Sequence, residues 1–316
     1  MAAPEQQNHL VSHSQRSHNR IIISDMADDV VERIASFLPI KDAHRLSVLS
    51  RRFRYSWKFC RDFSFDRNFA ENLSKDEFKN IVNNFFHHHS NPSADRFRLY
   101  FDANGETVLI SYWIASAVRL GINELELDFT PSGKMFTLSY ELIDFESIKT
   151  VKLVNCELHL PFNSNGLSHL RDLTFEHVRA HPVSIQAIFV NCLALRTLQL
   201  INCGFVFDLK IPSLGSKELN DVILDITYPR RFQLISHRRD MMISLAYVKS
   251  LKISSTFLEG LCARFEENEY KEVDFYLWKL KEFNLVVARE SYINPSDIVI
   301  FLKKCPQVER VFIDVS

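Results

Sequence analysis

Three consecutive histidines, His87, His88 and His89, are the side chains of this 316-residue chain that most directly suggest chemistry, because imidazole is a common metal ligand. Successive residues of a helix point about 100° apart, so three in a row cannot converge on one ion as a pair four residues apart can. Histidines that close a helix also interact favourably with its negative end. We therefore predict a helix end here, with no metal site and no bound cofactor.

The six cysteines are the next candidates for metal binding, but they are scattered and form no Cys-x-x-Cys pair. They are Cys60, Cys156, Cys192, Cys203, Cys262 and Cys305. A site shared by Cys156 and His159 is one interpretation, but a cysteine that closes a buried strand is ordinarily a small apolar core residue. Because free thiols are typical of reducing compartments, we predict an intracellular protein of the nucleus, the cytoplasm or both.

The remaining composition favours neither an enzyme nor a nucleic-acid or membrane protein. The chain has 7 glycines and lacks the Gly-x-Ser-x-Gly, P-loop and Gly-x-Gly-x-x-Gly motifs. Its net charge is -1, so the basic patch Arg51, Arg52 and Arg54 is expected to be a solvated face. No apolar run approaches the roughly 18 residues of a membrane span, and residues 1–19 contain no secretory signal core. A non-catalytic, protein-binding role follows.

The N-terminal part of the chain has the apolar spacing of a small helical module. Residues 1–19 are polar and predicted to be disordered, and a first helix then carries Val30, Val31, Ile34, Phe37 and Leu38 before Pro39 stops it. In a second helix, Asp42 is placed to cap and Ala43, Leu46 and Leu49 share one face. We expect Val31, Phe37 and Trp57 in the core of the module. So small a unit usually needs a neighbour or a partner for stability.

A third, longer helix is marked by its cap and its apolar stripe. Ser74 and Glu77 have the spacing of a capping box, in which each satisfies a backbone donor of the other. The stripe expected to face the core consists of Phe78, Ile81, Val82, Phe85 and Phe86.

Eight short apolar-x-apolar cores then recur at intervals of 22 to 32 residues, close to the period of about 20–29 of leucine-rich repeats. They are Leu125-x-Leu127, Val151-x-Leu153, Leu173-x-Phe175, Leu198-x-Leu200, Val222-x-Leu224, Leu251-x-Ile253, Phe283-x-Leu285 and Val311-x-Ile313. Pro182 and Pro295 are placed at helix starts between strands. The pattern predicts an α/β protein with a short N-terminal three-helix module and an irregular leucine-rich-repeat solenoid, a horseshoe. An ordinary parallel α/β sheet is the alternative, but its glycine-bearing turns are missing.

Because strand side chains alternate, the residues between and after the apolar ones must line the other face, which is the concave binding surface of a solenoid. This face is predicted to contain Glu126, Asp128, Lys152, Val154, Thr174, Glu176, Gln199, Ile201, Ile223, Asp225, Lys252, Ser254, Asn284, Val286, Phe312 and Asp314. The proposed substrate-binding residues are Val154, Glu176, Ile201, Ile223, Val286 and Phe312. Since acids outnumber lysines here, we expect a protein substrate with an apolar anchor flanked by basic residues. Coverage of Ile201 and Ile223 by a loop is the alternative.

The stretch from Arg20 to Trp57 resembles a plant F-box. The similarity rests on Arg20, Ile23-Ser24-Asp25, Val30-Val31, Ile34, Ser36-Phe37-Leu38-Pro39, Lys41-Asp42-Ala43, Ser47-Val48-Leu49-Ser50, Arg51-Arg52 and Trp57. Tyr112-Trp113-Ile114, Leu198-x-Leu200-x-x-Cys203 and Cys305-Pro306-Gln307-Val308-Glu309 resemble the repeats of plant F-box/leucine-rich-repeat proteins of the FBD-like family. Two positions depart from the pattern, because Met26-Ala27 replaces Leu-Pro and Phe53 replaces tryptophan.

The resemblance implies a substrate-receptor subunit of a Skp–cullin–F-box ubiquitin ligase. It would bind a Skp-type adaptor, and through it a cullin, while the repeats hold a protein substrate. The implied adaptor-binding residues are Met26, Ala27, Val30, Ile34, Leu38, Pro39, Leu46, Val48 and Leu49. Because of Met26-Ala27, the alternative is a repeat-based interaction scaffold that no longer binds an adaptor.

The implied organisation has three parts. Residues 1–19 form the tail, 20–60 the adaptor-binding module and 61–316 the substrate-binding solenoid. The last predicted strand ends next to Ser316 without a polar capping repeat, so we expect either a longer chain or another cover for that edge.

Overall fold

The computed structural model describes residues 26–49, 51–139, 146–159, 166–205, 219–225, 242–243, 245–262, 275–287 and 293–315. It shows a mixed α/β protein in which N-terminal helices precede a parallel sheet. The predicted tail, the opening residues Arg20 to Asp25 of the F-box-like stretch, Ser50 and the side chain of Leu49 lie outside the described residues.

The N-terminal helices are α1 (Asp28–Ser36) and α2 (Ile40–Leu49), followed by single 3-10 turns at Arg51–Phe53 and Ser56–Phe59. Helix α1 buries Val31 and Ala35, which lie one turn apart on the same face. The expected capping role of Asp42 is wrong, because α2 already begins at Ile40. Asp42 lies in the first turn and pairs with Arg45 at 3.3 Å.

Phe37 does not lie in the core of the module, contrary to expectation. Helix α1 ends at Ser36, and Phe37 is its C-cap, with 74% of its surface exposed. Its ring faces the guanidinium of Arg33 at 5.8 Å. The core expectation is correct for Val31, while Trp57 is partly buried and packs against the main core.

Within the part of the chain that the structure describes, ten parallel strands form the main sheet, and their spatial order follows the chain. They are β1 (Asp62–Phe65), β2 (Arg96–Tyr100), β3 (Glu124–Asp128), β5 (Thr150–Val154), β7 (Asp172–Glu176), β9 (Thr197–Ile201), β10 (Asp221–Asp225), β11 (Ser250–Ser254), β12 (Glu282–Val287) and β13 (Arg310–Val315). All eight apolar-x-apolar cores lie in these strands, as predicted. Strands β1 and β2 were not expected, although Phe63 with Phe65 and Phe97 with Leu99 have the same pattern.

A second, smaller parallel sheet contains β4 (Phe136–Ser139), β6 (Cys156–His159) and β8 (Arg179–Ala180). Asn155 connects β5 to β6 with a left-handed φ of 56°, a conformation that asparagine adopts more readily than most residues. His177 and Asn202, after β7 and β9, repeat this conformation. The same sharp turn therefore follows three successive strands of the main sheet.

The remaining helices are α3 (Arg67–Ala70), α4 (Lys75–His88), α5 (Thr107–Arg119), α6 (Pro182–Asn191), α7 (Ser255–Cys262) and α8 (Pro295–Leu302). The capping box of Ser74 and Glu77 at the start of α4 is confirmed. Pro182 and Pro295 begin their helices as predicted, and the Asn294 side chain accepts a hydrogen bond of 3.0 Å from the Ser296 N–H. No described helix has the length and apolar content needed to cross a bilayer.

One continuous apolar core joins the N-terminal helices to the sheet. It runs from Ile40 of α2 to Cys305 after α8. Pro39, just before α2, forms an isolated parallel bridge with Asp62 at the start of β1. The N-terminal helices are therefore attached to the first strand of the sheet by both backbone pairing and apolar packing.

Strand β13 departs from the predicted pattern of burial. Val311 and Ile313 were expected in the core, but both are exposed. The reason is position, since β13 is paired with β12 and no other strand of the described sheet covers its outer side.

Candidate docking surfaces

The first candidate surface lies on helices α1 and α2. Val30 and Val48 on these helices and Phe37 at the end of α1 are exposed large apolar residues, and Val48 is 77% exposed. Of the predicted adaptor-binding residues, Ala27 is also exposed, while Met26, Ile34, Leu38, Pro39 and Leu46 are half-buried. None of these residues belongs to the buried core. A small helical unit that leaves this much apolar surface exposed is typical of a partner-binding site.

Phe37 is a member of this surface that the sequence analysis missed. Val30, Ile34 and Phe37 lie four and three residues apart, so they follow one face of the helix into its cap. Val31 and Ala35 occupy the neighbouring, buried face. The spacing already indicated this, because Val30, Ile34 and Phe37 lie on a different face of the helix from Val31 and Ala35. Only one of these two faces can be buried in the module.

Two ion pairs lie on or next to the N-terminal helices. Arg52 Nη2 and Asp28 Oδ1 lie 2.8 Å apart and join the first 3-10 turn to the start of α1. Arg45 pairs with Asp42 at 3.3 Å, and both side chains are more than half exposed. Ion pairs of this kind contribute little to stability. The Arg52–Asp28 pair therefore adds charged side chains next to the apolar residues at the start of α1.

The second candidate surface is the face of the main sheet that points away from the core. In its first strands, ion pairs connect neighbouring side chains. Arg98 and Lys152 both pair with Glu126, at 3.1 and 2.8 Å. Arg96 pairs with Asp62 at 3.0 Å and also with Glu124, whose pKa is lowered chiefly by its hydrogen bond from Arg96. The acids of this region are therefore largely neutralised by their neighbours.

Two apolar pairs lie further along the same face. Ile201 and Ile223 belong to the adjacent strands β9 and β10, and Val286 and Phe312 belong to the adjacent strands β12 and β13. Phe312 is 47% exposed, and the other three are half-buried. In the register, Ile201 stands beside Asp225 and Val286 beside Asp314.

Lys252 of β11 stands in register with Ile223 and lies between the two apolar pairs. Asp225 has a raised pKa, because burial penalises its charged form more than Lys252 stabilises it. The face therefore combines apolar pairs with acidic neighbours in its later strands.

Two predicted members of this surface are wrong. Val154 is only 3% exposed, and Ser254 is buried. In the register, Val154 stands between Asp128 and Glu176, and it is the last residue of β5, directly before the sharp turn at Asn155. Ser254 is followed at once by helix α7, which removes it from the open face. Glu176 remains half-buried on the outward face.

The three histidines close α4 as predicted. His87 and His88 are exposed, while the His89 ring lies 4.8 Å from the Phe63 ring and 5.0 Å from the Phe85 ring. Burial lowers the pKa of His89 to about 4. Within the described ranges, no group of three or more His, Cys, Asp or Glu side chains is arranged to hold a metal ion.

Five cysteine side chains that the structure describes are buried, namely Cys60, Cys156, Cys192, Cys203 and Cys305. Burial raises the pKa of Cys60, Cys156, Cys203 and Cys305 to about 12, so these thiols are poor nucleophiles. Cys203 Sγ donates to the Phe175 carbonyl at 3.5 Å and acts as a core residue. The described geometry therefore draws attention to surfaces for proteins and not to a reactive group.

Comparison with known families gives two matches along the chain. Residues 23–65 match the F-box domain, and residues 86–264 match the domain described as At1g61320/AtMIF1, LRR domain. The first match covers α1, α2 and β1, and the second covers the strands from β2 to β11. Residues 66–85 lie between the two matches, and the second match begins near the end of α4.

Several curated proteins of Arabidopsis thaliana are similar to this chain. It is 27% identical to the putative FBD-associated F-box protein At1g61330, over 93% of this chain and 76% of that protein. It is 26% identical to the FBD-associated F-box protein At1g61320, over 99% of this chain and 78% of that protein. The F-box/FBD/LRR-repeat protein At3g52680 is 31% identical, over 63% of this chain and 45% of that protein.

Proposed function

Since this chain belongs to the At1g61320/AtMIF1 family of plant F-box/LRR proteins, we propose that it is the substrate-receptor subunit of a Skp–cullin–F-box ubiquitin ligase. The F-box would bind a Skp-type adaptor and, through it, a cullin. The repeats would hold a protein substrate. In this role the chain is non-catalytic and acts in the nucleus or the cytoplasm.

The observation that carries this proposal is the exposed apolar surface of α1 and α2 within the F-box match. Val30, Phe37 and Val48 leave large apolar areas uncovered while Val31 and Ala35 fill the core behind them. The proposed adaptor contacts are Met26, Ala27, Val30, Ile34, Leu38, Pro39, Leu46, Val48 and Leu49, to which the exposure of Phe37 adds a tenth. Burial of this surface by an adaptor would contribute the hydrophobic free energy that the free module lacks.

The division of the chain follows from the same surfaces. We propose that residues 20–60 form the adaptor-binding module, that 61–316 form the substrate-binding unit and that 1–19 form a tail. Ten parallel strands in chain order support a stack of repeats, because each strand then pairs with the strand of the next repeat. A progressive rotation between repeats would curve this stack into a horseshoe with the outward strand residues on its concave side.

The substrate surface is proposed to be the later part of that concave side. Ile201, Ile223, Val286 and Phe312 supply apolar contact, and Asp225 and Asp314 lie beside them in the register. Glu176, in register with Ile201, extends the acidic side. A protein segment with an apolar anchor flanked by basic residues fits this arrangement.

An interaction scaffold without a ligase partner is the second candidate, favoured by Met26-Ala27 at a position where the family has Leu-Pro. Size-exclusion chromatography of the full chain with a purified Skp-type adaptor separates the two. A ligase receptor elutes with the adaptor as a 1:1 complex at micromolar concentration. Separate elution at that concentration, from a folded chain, would support the scaffold and contradict the ligase role.

A further inference from the structure

A cavity of about 470 Å³ lies between the F-box helices and the first repeat helix, α4. Its volume falls within the range of about 300–1,000 Å³ that is common for small-molecule sites. Segments of α2, the second 3-10 turn, the α3–α4 connection and α4 all contribute to its walls. The cavity is therefore bordered by several separate parts of the chain, is partly open to solvent and is not a groove along one helix.

The interior of this junction cavity is apolar. The residues that supply the apolar surface are Ile40, Trp57, Phe69, Leu73, Ile81 and Phe85. Ile40 and Phe85 belong to the buried core, and Trp57, Phe69 and Leu73 are partly buried against it. Ile81 is exposed on a helix that buries Phe78, Val82 and Phe85, so its side chain opens onto the cavity instead of the core. These residues would hold an apolar group away from water.

The polar lining residues give the cavity an excess of positive charge. Lys41 and Arg45 on α2 have basic side chains, His44 lies between them in sequence, and Glu71 is the one carboxylate among the lining residues. Lys41 Nζ donates a hydrogen bond to the neutral carbonyl of Asn68. Arg45 forms an ion pair with Asp42 at 3.3 Å, and both side chains are more than half exposed. Such an exposed pair is weak, so replacing Asp42 with a ligand carboxylate as the partner of Arg45 costs little.

The cavity is separate from the proposed adaptor surface. Not one of the proposed adaptor contacts on α1 and α2 is among its lining residues. An occupant of the cavity would therefore not need to displace the adaptor. It would contact the F-box helices and the first repeat at once, and its binding would stabilise their junction.

From this combination we propose that the junction cavity binds a small amphipathic carboxylate. Its apolar body lies among Trp57, Phe69 and Leu73, and its carboxylate pairs with Lys41 and Arg45 at the cationic wall. The charge of the wall favours an acid over a neutral apolar molecule, because a carboxylate can accept charge-assisted hydrogen bonds from both cations. The limited volume between the four bordering segments favours a compact ligand.

The test uses octanoate and octanol, which differ only in the charged group, and calorimetry on the full chain. Octanoate binds, and octanol binds more weakly. The variant Lys41→Gln/Arg45→Gln weakens octanoate binding about fivefold and leaves octanol unchanged. The control Arg119→Gln/Lys134→Gln changes two exposed cations outside the cavity, removes the same charge and has no effect on either ligand.

A second variant tests the place of binding. Ile81→Trp puts a larger side chain at an exposed position of the cavity wall, so the fold is retained and both ligands are lost. Circular dichroism and the melting temperature verify folding. Absence of octanoate binding to the wild-type chain overturns the proposal, and so does equal binding to all variants. Loss of adaptor binding in Ile81→Trp, without octanoate binding to the wild type, would show that the cavity takes an adaptor side chain instead.

Discussion

Trp113 Nε1 donates a hydrogen bond of 2.8 Å to Asn83 Oδ1, which connects α5 to α4 inside the first repeat. Trp113 is fully buried and packs against Phe78 and Phe101. Because an indole N–H in such a place has no access to water, Asn83 supplies the acceptor that it requires. The half-buried Asn83 on α4 therefore has a structural role.

Removal of this acceptor is expected to destabilise the protein. Asn83→Ala leaves the buried indole N–H without its partner and should lower the free energy of unfolding by about 1–3 kcal/mol. Asn80→Ala, at an exposed position of the same helix, is the matched control and should cost less than about 0.5 kcal/mol. Urea unfolding followed by circular dichroism measures both. Equal stability of the two variants would show that the bond contributes nothing.

Because His89 is largely buried, we predict that the folded protein loses stability in mild acid. Burial lowers its pKa from 6.5 to about 4, so the unfolded chain binds the proton first and stability falls as pH decreases from 6.5 towards 4. The ring is partly exposed, so between pH 7 and pH 5 we expect a loss of about 1 kcal/mol and not the full value of the shift.

The variant His89→Phe removes this dependence, since a phenyl ring fits between Phe63 and Phe85 and carries no proton. His88→Gln, at the exposed neighbouring position, should retain it. Melting temperatures at pH 7 and pH 5 provide the comparison. If His89→Phe loses as much stability as the wild type in this interval, another group is responsible.

Two aspartate substitutions at positions that share one register neighbour test the register of the sheet. Val154 and Ile201 both flank Glu176 in the pairing, on opposite sides. Val154→Asp places a charge at a position with 3% exposure and should cost more than about 3 kcal/mol. Ile201→Asp, at a half-buried position, should cost about 1 kcal/mol. The reverse order of stabilities would mean that Ile201 is the core residue.

The substrate surface predicts a variant that loses one function and retains the others. Ile201→Asp/Phe312→Asp replaces one member of each apolar pair with an aspartate, which carries the same negative charge as the nearby Asp225 and Asp314. Substrate capture should fall by at least about a hundredfold, while adaptor binding and the melting temperature stay near those of the wild type. If the variant captures the same proteins as the wild-type chain and to the same extent, the substrate binds at another surface.

The sequence predicted the regular features of this fold because they depend on local spacing. Ser74 with Glu77 and the eight apolar-x-apolar cores are patterns of a few residues, and each is confirmed. Strand β1 was missed because Phe63 and Phe97 lie 34 residues apart, outside the period of about 20–29, with the long helix α4 between them. Strand β2 could have been predicted, since Phe97 lies 28 residues before Leu125.

The misplaced residues depend on surroundings that one segment does not reveal. Val154 is buried at the end of β5, directly before the turn at Asn155, and the exposure of Val311 follows from the position of β13 in the sheet. Phe37 was assigned to the core by its type, although the phase of the helix placed it outside. The junction cavity is formed by four segments and has no sequence motif of its own.

Adaptor binding through α1 and α2 is the central claim, and a pair of matched valines tests it. Val48 on α2 is 77% exposed and Val108 on α5 is 84% exposed, so aspartate at either position should leave the fold intact. In a complex with the adaptor, Val48→Asp buries an unpaired charge, which costs about 2–4 kcal/mol.

The most direct measurement is the dissociation constant of the full chain for a purified Skp-type adaptor, determined for wild type, Val48→Asp and Val108→Asp. We predict that Val48→Asp weakens binding by roughly thirty- to a thousandfold and that Val108→Asp equals the wild type. If a folded Val48→Asp variant binds the adaptor as tightly as the wild type does, the assignment of this surface is contradicted.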